Sequence, residues 1–163
     1  NIILYVKVPS VLLRIDFTAA FHVQEEIGLR GAKAAAYTIN PDFALILETT
    51  TAADFSSAQG DAKVCQLGKG PVVSFMDKRT LYDKPLYDWI RCQAEEEGIP
   101  AQTKSLVAGG NDAGAIQLAG SGARVAAVSL PCRYLHSPAC VLSRADMRHT
   151  AALLQVLAAR LPL

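Results

Sequence analysis

The stretch FALILE, residues 43–48, decides the fold. Five apolar side chains run without a break into a single glutamate. A strand half exposed to water would alternate apolar and polar residues, so an unbroken run reads as a central strand buried on both faces. Just upstream, NPD at 40–42 ends an Ala-rich, helix-like segment over 29–39, because the residue before a proline is pushed out of the helical region. Further up, IDFTAAFHV (15–23) reads as a second strand running into the adjacent pair Glu25 and Glu26.

Downstream the alternation continues. Residues 52–62 form a polar, Gly-containing loop, and 63–76 predict two short strands interrupted by GKGP. A well-signalled helix follows: Asp83 caps it, Pro85 suits its first turn, Leu86, Trp89 and Ile90 make its apolar face, and Gly98 closes it. Then come a strand near 102–106, the glycine-rich turn AGGNDAGAIQLAG (108–120) and a strand over 124–130. The last element, 145–161, places Met147, Ala151, Leu154, Leu157 or Ala158, and Leu161 at helical spacing. Apolar strands alternating with amphipathic helices predict an α/β fold, with a mostly parallel central sheet flanked by helices in three layers.

Bulk properties narrow the function. The 163 residues fit one domain, 51% hydrophobic and 19% charged, as in an ordinary globular protein. Lys plus Arg (16) nearly balance Asp plus Glu (15), and no basic stripe with interleaved aromatics argues for nucleic acid. The longest apolar stretches, 43–47 and 125–131, are too short to span a membrane. Cys65, Cys92, Cys132 and Cys140 include no C-x-x-C pair and predict reduced, mostly buried thiols in a cytoplasmic protein. The start, NIILYVKVPSVLLRIDF, has neither a basic region nor a small-residue cleavage site, so no signal peptide is expected. It reads like the interior of a longer polypeptide.

In α/β sheets functional groups gather beyond the carboxyl ends of the strands. Three strands end there in reactive residues: Glu25 and Glu26, Glu48, and His136 in PCRYLHSPAC. Each has a plain alternative. The glutamate pair could sit as a solvated turn at a helix N-terminus, where negative charge is favourable. Glu48 could be a solvated strand end or a cap on the Thr-rich loop. His22 reads as a satisfied structural histidine and His149 as a surface residue, which leaves His136 as the better-placed ligand. GGNDAG (109–114) lacks the lysine of a phosphate loop. It reads as a backbone-donor turn lining a pocket, with Asp112 available to cap the next helix.

Taken together, VQEEIGLRGA, ALILETTTAAD, GGNDAGAIQLA and CRYLHSPAC resemble the dinuclear-metal aminopeptidases of the glutamyl, or tetrahedral (TET), aminopeptidase family. Some members of that family carry an older label as cellulases. The likeness runs over residues 16–163, so the whole chain, 1–163, is expected to be the carboxyl-terminal portion of a catalytic domain. It implies a hydrolase removing amino-terminal residues from peptides with two divalent ions, zinc or cobalt. It also implies peptide substrates and a homo-oligomer for the full-length protein. By position, Glu25 matches the general base that takes a proton from the water the ions activate. Glu26 and His136 match ligands of one ion, and Glu48 matches the carboxylate ligand of the other, where many relatives have Asp. Gly109, Gly110, Asn111 and Asp112 match a pocket-lining segment.

The family also needs an upstream His and an Asp bridging both ions, and these would fall before Asn1. On this pattern the chain holds two ligands for one ion, one for the other and no bridge. It is therefore expected to be incomplete or weakly active alone. The alternative expectation is a non-catalytic α/β scaffold or assembly module that has lost the dinuclear site. Glycoside hydrolysis has less support, since that chemistry wants two carboxylates across a cleft and Glu25 and Glu26 are neighbours.

Overall fold

The structure, a computed structural model, describes residues 2–7 and 16–161. Seven strands form one sheet: β1 (Ile2–Lys7), β2 (Asp16–Phe21), β3 (Phe43–Thr51), β4 (Val72–Val73), β5 (Gln102–Thr103), β6 (Arg124–Arg133) and β7 (Val141–Leu142). The order is β2-β1-β3-β6-β4-β5, with β7 also paired to β6. Among the described residues four α-helices flank it: α1 (Arg30–Ile39), α2 (Lys84–Glu96), α3 (Ala113–Ile116) and α4 (Arg144–Ala159). This is the expected α/β fold.

The sheet is mixed. Its central ladder, β3 with β6, is parallel from Phe43↔Arg124 to Thr51↔Cys132, as is β4 with β5. Pairing is antiparallel in β1–β2, β1–β3, β4–β6 and β6–β7. Ile15, the expected start of β2, lies outside the described residues.

FALILE does what an unbroken apolar run requires. Successive side chains of a strand point to opposite faces. Ala44 and Ile46, with Val125 and Ala127 of β6, bury against α1 and α3. Phe43 and Leu45, with Ala126 and Val128, bury against Leu86, Ile90 and Ala94 of α2 and Leu153 and Leu157 of α4. Both faces of the two central strands are covered, so every residue of the run from Phe43 to Ile46 is buried. The same alternation carries Glu48, two residues past Ile46, toward the α3 side opposite Ser129.

Helix boundaries follow the local signals. Asn40 closes α1 in the left-handed conformation, its N–H donating to the carbonyl of Ala36. Asp83 caps α2 by accepting from the Leu86 N–H, and Gly98 takes φ +63° beyond its end. Asp83 also accepts two hydrogen bonds from the Arg124 guanidinium, which hold its carboxyl below the usual range. Asp83→Ala is therefore expected to cost about 1–2 kcal/mol at neutral pH, mostly through the cap. A carboxylate with a depressed pKa stabilises above its unfolded pKa, and that contribution is lost as pH falls through the folded value. The difference between parent and variant in urea midpoints should accordingly shrink in acid.

Five expectations need correction. Residues 63–76 hold one strand, β4, rather than two, because Val64, Gly68 and Gly70 all have positive φ and break the extended run. Strand β6 continues through Pro131 to Arg133 instead of ending at Leu130. That proline falls between the part of β6 paired with β4 and the part paired with β7, where a missing N–H is tolerated. Helix α4 turns a different stripe inward: Asp146, Thr150, Leu153 and Leu157 are buried while Met147 is half exposed. His149 is half-buried in consequence, not a surface residue. The cause is Asp146, whose carboxylate accepts the N–H groups of Gly68 (2.7 Å) and Gly70 (2.8 Å). The thiols divide evenly, Cys65 and Cys132 buried, Cys92 and Cys140 exposed.

Candidate functional site

Glu25 and Glu26 sit in a tight turn after β2, not on the strand itself. The turn is tied by backbone bonds from Gly28 and Leu29 to the Glu25 carbonyl, from Arg30 to Gln24 and from Gly31 to Val23. A Cβ on Gly31 would lie 2.6 Å from the Val23 oxygen, so only glycine lets α1 start this close to the strand end. The sequence EEIGLRG thus fixes where the two carboxylates stand.

Because β3 and β6 are parallel, their carboxyl ends open on the same edge. Glu48 lies within β3, which runs on to Thr51 and does not end at the glutamate as expected, the His136 loop leaves β6, and the Glu25–Glu26 turn comes up beside them. A cavity of about 320 Å³ results, lined by Glu25, Glu26, Glu48, His136, Lys104 and the Gly109–Gly110 backbone, among others. His136 Nδ1 lies 3.3 Å from Glu26 Oε1, both side chains well exposed at the rim. Glu25 is half-buried, and its carboxyl is raised first by desolvation and then by Glu26 and Asp112. Glu48 is deeper. Burial pushes it up to about 7, against the opposing pull of hydrogen bonds from Asn111 (2.7 Å) and Ser129 (3.4 Å).

Behind the cavity runs a buried polar chain. Asn111 Nδ2 donates to Glu48 and also to the Tyr82 hydroxyl (2.9 Å), and Tyr82 in turn donates to Asp77 (2.7 Å). Asp77 is fixed by the N–H groups of Arg79 and Thr80. Of the glycine-rich segment, Gly109 and Gly110 face the cavity while Asn111 and Asp112 are buried behind it. Asp112 makes no side-chain cap to α3, but lies 3.2 Å from His22 Nδ1 in a fully buried pair. His22 is thus the structural histidine its position suggested.

The His136 loop is held from below. Arg133 makes a two-pronged ion pair with Asp54 (2.6 and 2.9 Å), and Tyr134 packs on Phe55 with ring centroids 5.8 Å apart. Ser137 Oγ bonds the Tyr134 and Ala139 carbonyls, and Tyr134 and His136 both take positive φ. Asp77, Tyr82, Lys104 and Asp54 carried no signal in the sequence. Tyr82 and Asp54 act through Asn111 and Arg133, 29 and 79 residues away.

The donors can be tested against a metal. Two ligands about 2.0–2.1 Å from a tetrahedral ion sit about 3.3 Å apart, which the His136–Glu26 separation of 3.3 Å satisfies. Imidazole with carboxylate also suits zinc or cobalt. The number of donors does not suit: among the described residues no group of three or more His, Cys, Asp or Glu side chains is arranged to hold an ion. A protein zinc site normally has at least three protein ligands. What stands here fits part of a metal centre, not a whole one.

The class the fold and cavity define is an α/β sandwich with a parallel central pair of strands and a polar cavity at their carboxyl ends. Residues 4–153 match the family model described as M42 glutamyl aminopeptidase, and the chain belongs to that family. It is 34% identical over 145 residues to the lysyl aminopeptidase of Pyrococcus furiosus, covering 87% of this chain and 40% of that protein. Its structure superposes on a TET aminopeptidase from a marine sediment Thaumarchaeota archaeon with TM-score 0.86 and 33% identity, over 91% of this chain and 41% of that one. A third relative is the TET1 peptidase of Pyrococcus horikoshii, which can assemble into a tetrahedron or a large octahedral shell. It matches with TM-score 0.72 and 34% identity over 88% and 41% of the two chains. The chain spans about two fifths of the length of these relatives. No helix among the described residues is long and apolar enough to cross a membrane.

Proposed function

We propose that this chain is a non-catalytic α/β scaffold of the M42 aminopeptidase fold, carrying half of a dinuclear site and not completing it. The observation that carries this reading is the donor count. Glu26 and His136 are spaced for one ion and Glu48 faces the same cavity, yet among the described residues no group of three or more donors is arranged to hold an ion. Glu25 is suitably placed to act as a base and its raised pKa fits that role, but half a centre offers it nothing to work on. A cytoplasmic location and assembly into homo-oligomers belong to the same proposal.

A second reading is favoured by the Glu26–His136 spacing itself: polypeptide outside this chain supplies the remaining ligands, and the assembled site removes amino-terminal residues from peptides. One experiment separates them. The chain, alone and mixed with the amino-terminal portion of a TET relative that it does not span, is dialysed against metal-free buffer, supplied with zinc, cobalt or manganese, and assayed for tightly held metal and for hydrolysis of amino-acid anilides. The scaffold reading expects less than one retained ion per chain and no turnover, with Glu26→Ala and His136→Ala altering neither metal content nor stability. About two retained ions and a turnover abolished by Glu25→Gln would overturn it in favour of the enzyme.

A further inference from the structure

Two cysteines bracket the His136 loop. Cys132 lies on β6, fully buried, and Cys140 immediately precedes β7, exposed. Strand β7 folds back antiparallel, setting Leu142 opposite Cys132 and Val141 opposite Arg133. Cys140 therefore lies two residues from the partner of Cys132, and side chains so related stand diagonally on one face of a ladder. In this structure the Cys132 thiol donates to the Arg133 carbonyl at 3.3 Å, and it is pushed up to about 11, first by burial and then by the neighbouring Cys140. The other two cysteines are engaged elsewhere. Cys65 donates to the Thr51 carbonyl at 3.3 Å and Cys92 to Glu96 at 3.3 Å.

We propose that Cys132 and Cys140 form a reversible dithiol pair whose oxidation to a disulfide clamps the loop carrying His136. The co-reactant is a low-molecular-weight disulfide such as oxidised glutathione. The exposed Cys140, as thiolate, attacks one of its sulfurs, forming a mixed disulfide and releasing one glutathione thiol. Cys132 then gives up its proton, and its thiolate attacks the Cys140 sulfur. The Cys132–Cys140 bond forms, the Cys140–glutathione bond breaks, and the departing thiolate takes up that proton. Two protein thiols are oxidised and one disulfide is reduced to two thiols. Because thiolate is the attacking form, the high pKa of Cys132 makes the second step the slow one, and excess reduced glutathione reverses the pair.

The clamp follows from reach. A disulfide requires sulfurs about 2.05 Å apart, so Cys140 must draw in toward β6. Between the two cysteines the loop is already braced by Ser137 on Tyr134 and Ala139. The displacement therefore passes to His136 and its contact with Glu26. This inference does not rest on the metal reading, since the thiols and the loop are the same with or without an ion.

The test uses the full chain equilibrated in glutathione buffers from reducing to oxidising, alkylated, denatured and digested with trypsin without reduction. Arg133 lies between the two cysteines, so trypsin puts them in separate peptides, 125–133 and 134–144. The expected result is a disulfide-joined pair of these peptides, with loss of two of the four thiols. It should be absent in Cys140→Ser and retained in Cys92→Ser. In the oxidised protein the His136 ring resonances should shift by NMR, and the same treatment should leave them unmoved in Cys140→Ser. Glutathione on Cys140 with Cys132 free at every ratio, or Cys132 joined instead to Cys65, would overturn the proposal. A joined peptide with unchanged His136 resonances would overturn the clamp.

Discussion

Gly70→Ala is expected to leave this chain without a cooperative unfolding transition. Gly70 holds φ +82°, and a Cβ there would stand 1.8 Å from the Pro100 oxygen and 2.6 Å from its carbonyl carbon. Both atoms are backbone, so no side chain can swing aside. Moving Gly70 instead breaks its N–H bond to the buried Asp146 carboxylate and its carbonyl's bond from Gln102. Left-handed strain of about 1–2 kcal/mol, overpacking of about 1–3 and a lost charge-assisted hydrogen bond of about 1.5–3 together reach several kcal/mol. That is comparable with the whole stability of a domain, about 5–15 kcal/mol. Gly68→Ala is the control: φ is +80° but nothing lies within 4 Å, so a loss of about 1 kcal/mol is expected. Guanidinium melts followed by near-UV circular dichroism would compare the two. Equal midpoints would mean that Pro100 does not approach Gly70 as described.

Glu48→Gln is expected to stabilise the chain, and to do so only above mildly acidic pH. Burial raises the Glu48 carboxyl from 4.5 to about 7. Between those values the folded chain keeps a proton that the unfolded chain has released, so stability falls as pH rises through that window and is level above it. At about 1.4 kcal/mol per unit, the cost at pH 8 is on the order of 3 kcal/mol. Glutamine keeps an oxygen to accept from Asn111 and Ser129 and carries no charge to bury. In chelator-treated buffer the two proteins should unfold at similar urea concentrations near pH 4.5 and diverge by pH 8, the variant being the more stable. Parallel pH profiles would mean that Glu48 is solvated in the folded chain.

The parts of this fold legible in the sequence are those that short-range physics decides. An unbroken FALIL must be covered on both faces, Asn40 before Pro41 must leave the helix, and Asp83 with Pro85 must start one. These contacts lie within a turn or a strand, so residue type and spacing suffice. The same holds for the Glu25–Glu26 turn, where Gly31 packs against the backbone of Val23 only eight residues before it. The four motifs that suggested the family were likewise local, and their order along the chain already placed them at strand ends.

Tertiary structure decided what depends on partners distant in the chain. Helix α4 faces inward by a stripe that periodicity alone misplaces, because the choice rests on Asp146 meeting amides 76 and 78 residues away. Glu48 is poised by Asn111, and Asn111 by Tyr82, through bonds spanning 63 and 29 residues. His136 comes within 3.3 Å of Glu26 only because β3 and β6 run parallel and open on one edge. Residue type tells what a side chain can bond to, whereas the distance at which it finds a partner is fixed by how the layers pack. The amino-acid sequence therefore determined the elements and the chemistry available. Packing decided which of those groups meet, and how many meet at one point.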